Sequence, residues 1–286
     1  MPADTVTPFG FESIPVRGAL IHLSRSWQRM LRDHDYSSLV TETLGHAAAA
    51  TGLIAQSLKF DGAITLQIQR GGILQMLVMQ CTSGLELRGM AVVSGDRIAS
   101  NFAELAANAH CAVTVDAGDR PYQGIVEIND ESLAASLEHY FSRSAQVPSH
   151  VALVANESVA GGLLLQQVPG KRIDTDDWKR LHFLAETLTE KDFDDEAGIR
   201  LIGKLFAEDD VRVYEPRSVT FRCRCSSRKA EDVLRMLGEA EARDALAGHD
   251  SIEVICEYCG RQRLFDQVDV ERLFADNVVA GPDSLQ

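Results

Sequence analysis

Six cysteines are spread unevenly along 286 residues, and four of them fall in one stretch. Cys223 and Cys225 make a Cys-x-Cys pair, Cys256 and Cys259 a Cys-x-x-Cys pair, with 30 residues between the two pairs. A structural zinc site is tetrahedral and draws four ligands from Cys and His. Two short pairs, each closed by a tight turn, supply that set at little entropic cost. Gly260 follows the second pair, where the knuckle turn often needs a residue tolerant of positive φ. Cys-x-Cys is the rarer spacing, which makes the combination more specific than two Cys-x-x-Cys pairs. The expectation is one Zn²⁺ per chain on Cys223, Cys225, Cys256 and Cys259. Cys81 and Cys111 stand alone in apolar contexts. A free cysteine there is most simply a small packing residue.

The same four sulfurs can also do redox chemistry. Zinc holds its cysteines as thiolates, the oxidisable form. An oxidant that turns them into disulfides removes the ligands, expels the ion and takes the metal-derived folding energy with it. Four cysteines allow three pairings. Proximity favours Cys223–Cys225 and Cys256–Cys259, although a bridge across one residue is strained, and strain eases its reduction. Two other readings compete. One is an inert zinc module that binds RNA or a protein. The other is a thiol–disulfide oxidoreductase using Cys256 and Cys259. A thioredoxin-like site would put its pair at a helix N-terminus, whereas here it follows the strand-like "SIEVI".

The elements around the cysteines suit a small module over residues 216–275. Ser226 or Ser227 can cap a helix in "RKAEDVLRML", which Gly238 ends. "EAEARDALAG" adds another turn or two, "SIEVIC" enters the knuckle as a strand, and "RQRLFDQVDVERLF" leaves as strand and short helix. So small a unit has little core, so zinc would supply much of its stability, on the order of 10–16 kcal/mol in small fingers.

Residues 1–172 read as an α+β domain. "AITLQIQR" alternates Ile64, Leu66 and Ile68 with polar residues, the period of a half-buried strand. "ILQMLVMQC" and "LELRGMAVV" follow as further antiparallel strands. The Ala- and Leu-rich stretch 37–58 reads as a helix, and 132–144 places Leu133, Leu137 and Tyr140 on one helical side. Gly71-Gly72 and Gly161-Gly162 lack any phosphate-loop pattern and read as turn glycines. The eight histidines form no metal pair or triad, and His46 and His110 read as core or surface residues.

Residues 173–215 hold thirteen acidic and six basic residues, half the net charge of −14. Yet Trp178, Leu181, Leu184 and Leu188 recur at helical spacing after a cap at Asp174 or Thr175. Beyond the acidic break "EKDFDDE", Ile199, Ile202, Leu205 and Phe206 form a second apolar stripe. Two surface helices and a metastable helical linker both fit. The polar end, 276–286, reads as a disordered tail.

With 45% hydrophobic residues the chain can build a core without disulfides. A pI near 5 disfavours a duplex nucleic-acid binder, which draws its affinity from Lys and Arg on phosphates. The first residues do not read as a signal peptide, and no apolar run reaches the ~20 residues of a membrane span. A cytoplasmic protein is expected, in which thiols stay reduced.

The sequence resembles the redox-regulated thirty-three-kilodalton bacterial heat-shock chaperone family over nearly its whole length. "VRGALIHL", "LKFDGAITLQIQ", "PYQGIVEI", "YFSRSAQVPS" and "GGLLLQQVP" resemble its N-terminal domain. "LFAEDDVRVYEP" resembles the end of its linker, and "FRCRC…RMLG…IEVICEYCG…FDQVDVERLF" its redox switch. The resemblance implies a holdase that needs no ATP and is not an enzyme, inactive while reduced and zinc-bound. Oxidation would form Cys223–Cys225 and Cys256–Cys259, release zinc, and unfold both switch and linker. Unfolded client proteins would bind the apolar surface so exposed, and the oxidised form would dimerise. The resemblance also favours the metastable-linker reading of 173–215.

Overall fold

The computed structural model describes residues 4–95, 97–118, 121–128, 132–195 and 198–275. The tail expected over 276–286 lies outside the described residues. The chain divides into two units, Met1–Arg222 and Cys223–Gln286.

The first unit opens with β1 (Thr5–Phe11), β2 (Val16–Leu23), α1 (Arg25–Leu31) and the long α2 (Ser38–Ser57). A meander follows: β3 (Ala63–Gln69), β4 (Leu74–Thr82), β5 (Glu86–Val93), the short α3 (Phe102–Leu105), β6 (His110–Asp116) and β7 (Tyr122–Val126). Next come α4 (Leu133–Arg143), β8 (Ser149–Ala155) and β9 (Ala160–Gln167), then three helices, α5 (Thr175–Glu186), α6 (Glu190–Asp195) and α7 (Ile199–Leu205). Three short strands close the unit: β10 (Val211–Val213), β11 (Arg217–Ser218) and β12 (Thr220–Phe221). The second unit holds α8 (Ser227–Leu237), α9 (Glu239–Leu246), β13 (Ile252–Ile255), β14 (Gln262–Phe265) and α10 (Gln267–Ala275).

Two sheets form the first unit. One runs β10-β1-β2-β9-β8, with β11 also on β1; the other runs β12-β5-β4-β3-β6-β7. Every pairing is antiparallel except that of β12 with β5. The architecture is the expected α+β. The period-two pattern of β3 is realised, with Ile64, Leu66 and Ile68 fully buried. Leu133, Leu137 and Tyr140 likewise turn one side of α4 into the core. α2 contacts strands of both sheets. Its run of Ala47, Ala48, Ala49 and Ala50 is buried in the larger of this unit's two cores. Small side chains let a central helix touch strands on both sides.

The second core of this unit lies on the other face of the first sheet. There Phe9, Val16, Leu20, Leu163 and Leu165 meet Leu181, Ala185, Leu188, Phe193, Ile202 and Phe206. The acidic 173–215 segment is thus packed, and its apolar stripes are the buried side. Asp174 caps α5 by accepting from the Asp176 N–H. Phe206 makes edge-on ring contact with Phe11, with centroids 5.1 Å apart. A bidentate ion pair joins Arg180 to Asp209 at 2.8 and 2.6 Å, tying the two ends of the segment together. Ile199 departs from expectation: it is 54% exposed, and Leu201 takes the inward place beside Ile202.

Gly161 and Gly162 are not turn residues. They lie within β9, both buried, and a Cβ on Gly161 would fall 2.4 Å from the Phe193 ring. The missing side chain is a notch for that ring. His22, opposite Gly161 in the register, makes a 2.8 Å hydrogen bond to the Phe193 carbonyl. An acidic run that looks like a break therefore carries the residue that anchors it. At Gly71 and Gly72 the turn expectation holds, but the positive φ of 63° belongs to Arg70.

His110 is exposed at the start of β6, whereas His46 is held in α2 with its side chain 17% exposed, beside Glu42. Burial pushes the His46 imidazole down to about 4. The unfolded chain therefore takes up this proton first, and stability falls as pH drops from about 6.5 towards 4. The full contribution is about 3 kcal/mol and is present above pH 6.5. His46→Gln is expected to flatten that part of the stability curve, measured by urea denaturation at pH 7 and pH 4.5.

Candidate metal centre

The knuckle is a hairpin. β13 and β14 pair from Ile252↔Phe265 to Ile255↔Gln262, and Cys256 and Cys259 sit in the turn between them. The Cys256 N–H donates to the Arg261 carbonyl at 3.0 Å. The N–H groups of Cys259 and Gly260 donate to the Cys256 carbonyl at 3.2 and 2.8 Å. Gly260 has φ 60°, the left-handed conformation that the turn requires. Cys223 and Cys225 come from the extended segment just before α8. Ser226 starts that helix by accepting from the Lys229 N–H at 3.2 Å, and Gly238 ends it.

All four sulfurs converge, lying within 4.8 Å of one another. Cys223 and Cys256 approach to 3.6 Å, as do Cys225 and Cys259. A tetrahedron with Zn–S near 2.3 Å has sulfur–sulfur edges of about 3.8 Å. The spacing and the half-buried, all-thiol donor set fit a tetrahedral thiophilic cation. Among the described residues, this is the single group of three or more Cys, His, Asp or Glu side chains able to hold a metal ion.

The electrostatics without a metal are unequal. Burial pushes the Cys223 thiol well up, and does the same to Cys259. Burial opposes ionisation of Cys225 too, but hydrogen bonds from Cys223, Cys259, Arg263 and Cys256 outweigh it and bring that thiol down to about 7. Arg263 is the second-sphere cation, with Nη2 3.9 Å from the Cys225 sulfur and Nε 3.4 Å from Ser227 Oγ. Arg222, adjacent in sequence, pairs instead with Glu86. Four ionised sulfurs at these distances repel one another strongly, and a divalent cation relieves that repulsion.

The apolar support is small: Ala230, Leu234, Ala242, Phe265, Val270, Leu273 and Phe274 make up the whole buried cluster of this unit. The Cys-x-x-Cys pair leads into a strand rather than a helix. Cys81 and Cys111 belong to the first unit, at 0% and 1% exposure on β4 and β6. Desolvation pushes both thiols up to about 12, so they stay protonated.

A two-sheet α+β unit followed by a four-cysteine hairpin module is the class defined by fold and site. The family profile described as Hsp33 protein matches residues 4–266. The chain is 38% identical over 282 residues to the 33 kDa chaperonin of Methylobacillus flagellatus, covering 97% of this chain and 96% of that protein. It is 41% identical over 278 residues to the 33 kDa chaperonin of Nitrosococcus oceani, with the same coverage of 97% and 96%. The structure also matches the crystal structure of the 33 kDa chaperonin (heat shock protein 33 homologue) of Thermotoga maritima. That match has a TM-score of 0.79 and 23% identity, covering 96% of this chain and 99% of that one. The chain belongs to the Hsp33 family of chaperones. No helix among the described residues is long and apolar enough to cross a membrane.

Gly260→Val puts a β-branched residue at φ 60°. The expected cost is roughly 1–2 kcal/mol, seen as earlier thermal loss of far-UV circular dichroism from the second unit, while the first unit melts as before.

Proposed function

We propose that this chaperone binds unfolded proteins without ATP and is switched by oxidation of Cys223, Cys225, Cys256 and Cys259. In the resting state these four residues hold one Zn²⁺. When bound, the ion neutralises thiolate charge and supplies folding energy that a seven-residue core cannot. Arg263, 3.9 Å from the Cys225 sulfur, helps to favour its thiolate, and the Gly260 turn shapes the second pair. The observation that carries the reading is the convergence of four thiols on so small an apolar core.

Oxidation forms Cys223–Cys225 and Cys256–Cys259. Each bond takes two electrons from two thiolates. With hypochlorous acid, one HOCl and one proton become chloride and water; with hydrogen peroxide, two protons yield two waters. Zn²⁺ leaves as its ligands are consumed. The switch domain, 216–275, then loses its fold, and the linker, 173–215, follows. The linker is charged, its helices are short, and its stability rests on the face of the first sheet that it covers, within the 1–172 domain. Phe9, Phe11, Leu20, Leu163 and Leu165, now beneath it, become available to clients and to a second copy of the chain, giving a dimer. The protein acts in the cytoplasm, where resting thiols are reduced.

The test is an oxidant titration of reduced protein, following zinc with a colorimetric chelator, ellipticity at 222 nm, and aggregation of a heat-denatured client. One Zn²⁺ per chain is expected to leave in step with loss of helix and gain of client protection. Equal protection before and after oxidation would end the switch reading. Cys256→Ser is expected to bind zinc weakly or not at all. Phe193→Ala leaves the zinc site intact and empties the Gly161 notch. It is expected to cost the linker roughly 3–5 kcal/mol and to protect clients while still reduced and zinc-bound. Reduced Phe193→Ala as inactive as wild type would mean that the linker does not cover the client surface.

A further inference from the structure

Three arginines of the first unit are held by neutral partners: Arg17 lines one cavity, and Arg217 and Arg212 contact its lining residues Gln56 and Tyr214. Several other arginines of this acidic chain are paired with carboxylates: Arg180 with Asp209, Arg222 with Glu86, Arg235 with Asp232, Arg243 with Glu239 and Arg272 with Asp269. Arg17 instead donates to Gln166 Oε1 at 3.0 Å. Gln166 is only 5% exposed and is fixed in turn by donating to Ser149 Oγ at 3.2 Å. Arg217 donates to Gln56 Oε1 and to the Ser83 carbonyl, both at 2.9 Å. Arg212 lies over the Tyr214 ring, 5.7 Å from its centroid. Among the described residues, none of the three has a carboxylate within ion-pair distance.

The sheet register explains the cavity. Gly10 of β1 stands opposite Arg17 of β2 and opposite Arg212 of β10. Residues directly opposed in a sheet share a face. With no side chain between them, the two arginines flank a gap two strand spacings wide, roughly 9–10 Å. The space above Gly10 is open, the nearest atom to a Cβ there being Tyr214 Oη at 3.8 Å. A cavity of about 250 Å³ results, lined by Pro8, Gly10, Arg17, Gln56, Gln166 and Tyr214 among others, with no aspartate or glutamate. A buried amide that spends its acceptor on Arg17 holds a rotamer-rich side chain in place while leaving its charge unneutralised. That is the arrangement of an anion receptor, because guanidinium donors match phosphate oxygens and strengthen as charge-assisted bonds. The C-terminal end of α2 at Gln56 and Ser57 opposes an anion with about half a charge, against three full positive charges.

We infer that this cavity binds a phosphate group, with Arg17 and Tyr214 Oη as direct contacts and Arg212 and Arg217 supplying the surrounding positive field. Arg17 comes from β2 and Tyr214 directly follows β10, so the ligand is gripped only while β10 is paired with β1. Binding therefore favours the folded first unit and raises its melting temperature by mass action.

The test uses the full-length, reduced, zinc-loaded protein. Inorganic phosphate and ribose 5-phosphate are each titrated by calorimetry at constant ionic strength, with chloride as the control salt, and melting is followed in the same buffers. Saturable binding and a raised melting temperature are expected for a phosphate species and not for chloride. Tighter binding of the ester identifies a phosphorylated metabolite as the ligand, and tighter binding of the free ion identifies inorganic phosphate. Arg17→Gln removes a charge from an exposed side chain, and is expected to melt normally without phosphate and to weaken binding about tenfold or more, the loss of a charge-assisted contact. Absence of binding, an equal response to chloride, or unchanged affinity in Arg17→Gln would overturn the inference. The measurement involves neither client nor oxidant, so its failure leaves the redox reading untouched.

Discussion

Four cysteine sulfurs lie within 4.8 Å of one another, and as thiolates they would repel strongly unless something positive lay among them. That single requirement organises the second unit. One cysteine pair lies just before α8 and the other in the hairpin turn between β13 and β14. The helices between them bury little more than Ala230, Leu234 and Ala242. A domain this small ordinarily lacks the apolar area to offset its conformational entropy. A cation held by the four sulfurs would add to what this small core supplies.

The first unit solves a different problem. Its sheet exposes two apolar faces, and one helix, α2, can cover only one of them. The other is covered by α5, α6 and α7, an unusual choice because these helices carry a large part of the chain's negative charge. Their hold is concentrated in a few places: the Phe193 ring over Gly161, the Phe206 contact with Phe9 and Phe11, and the ion pair between Arg180 and Asp209. A cover fixed at few points and surrounded by like charge is easier to lift than a cover fixed everywhere.

Much of this was legible in the residues themselves. The four cysteines, the Ser226 cap, the Gly238 stop and the Gly260 turn follow from local chemistry, and each appears where spacing puts it. The period-two strand at Ile64, Leu66 and Ile68 and the helix faces of α4 and α5 were equally readable, because one buried side imposes its period on the sequence. What could not be read was tertiary. Phe193 is a lone aromatic in an acidic run, and its importance depends on Gly161 lying beneath it. Gly161 in turn looks like a turn residue until its strand is known. The exchange of Ile199 for Leu201 as an inward residue is a matter of helix phase, which a four-residue stripe leaves undetermined. Arg17 and Arg212 meet across Gly10 only because β10 returns to β1 from some 200 residues away.

That return pairing has a consequence for the birth of the molecule. β1 is the first strand made, and its outer edge is completed by Val211–Val213 and Arg217–Ser218. At translation rates of about 5–20 residues per second, roughly 10–40 seconds pass between the emergence of β1 and the arrival of its partners. Throughout that interval β1, though paired with β2 on one side, leaves its other edge open. The slowest contact to form is also the one that closes the sheet. A member of a chaperone family thus passes, during its own synthesis, through a stage with an open strand edge.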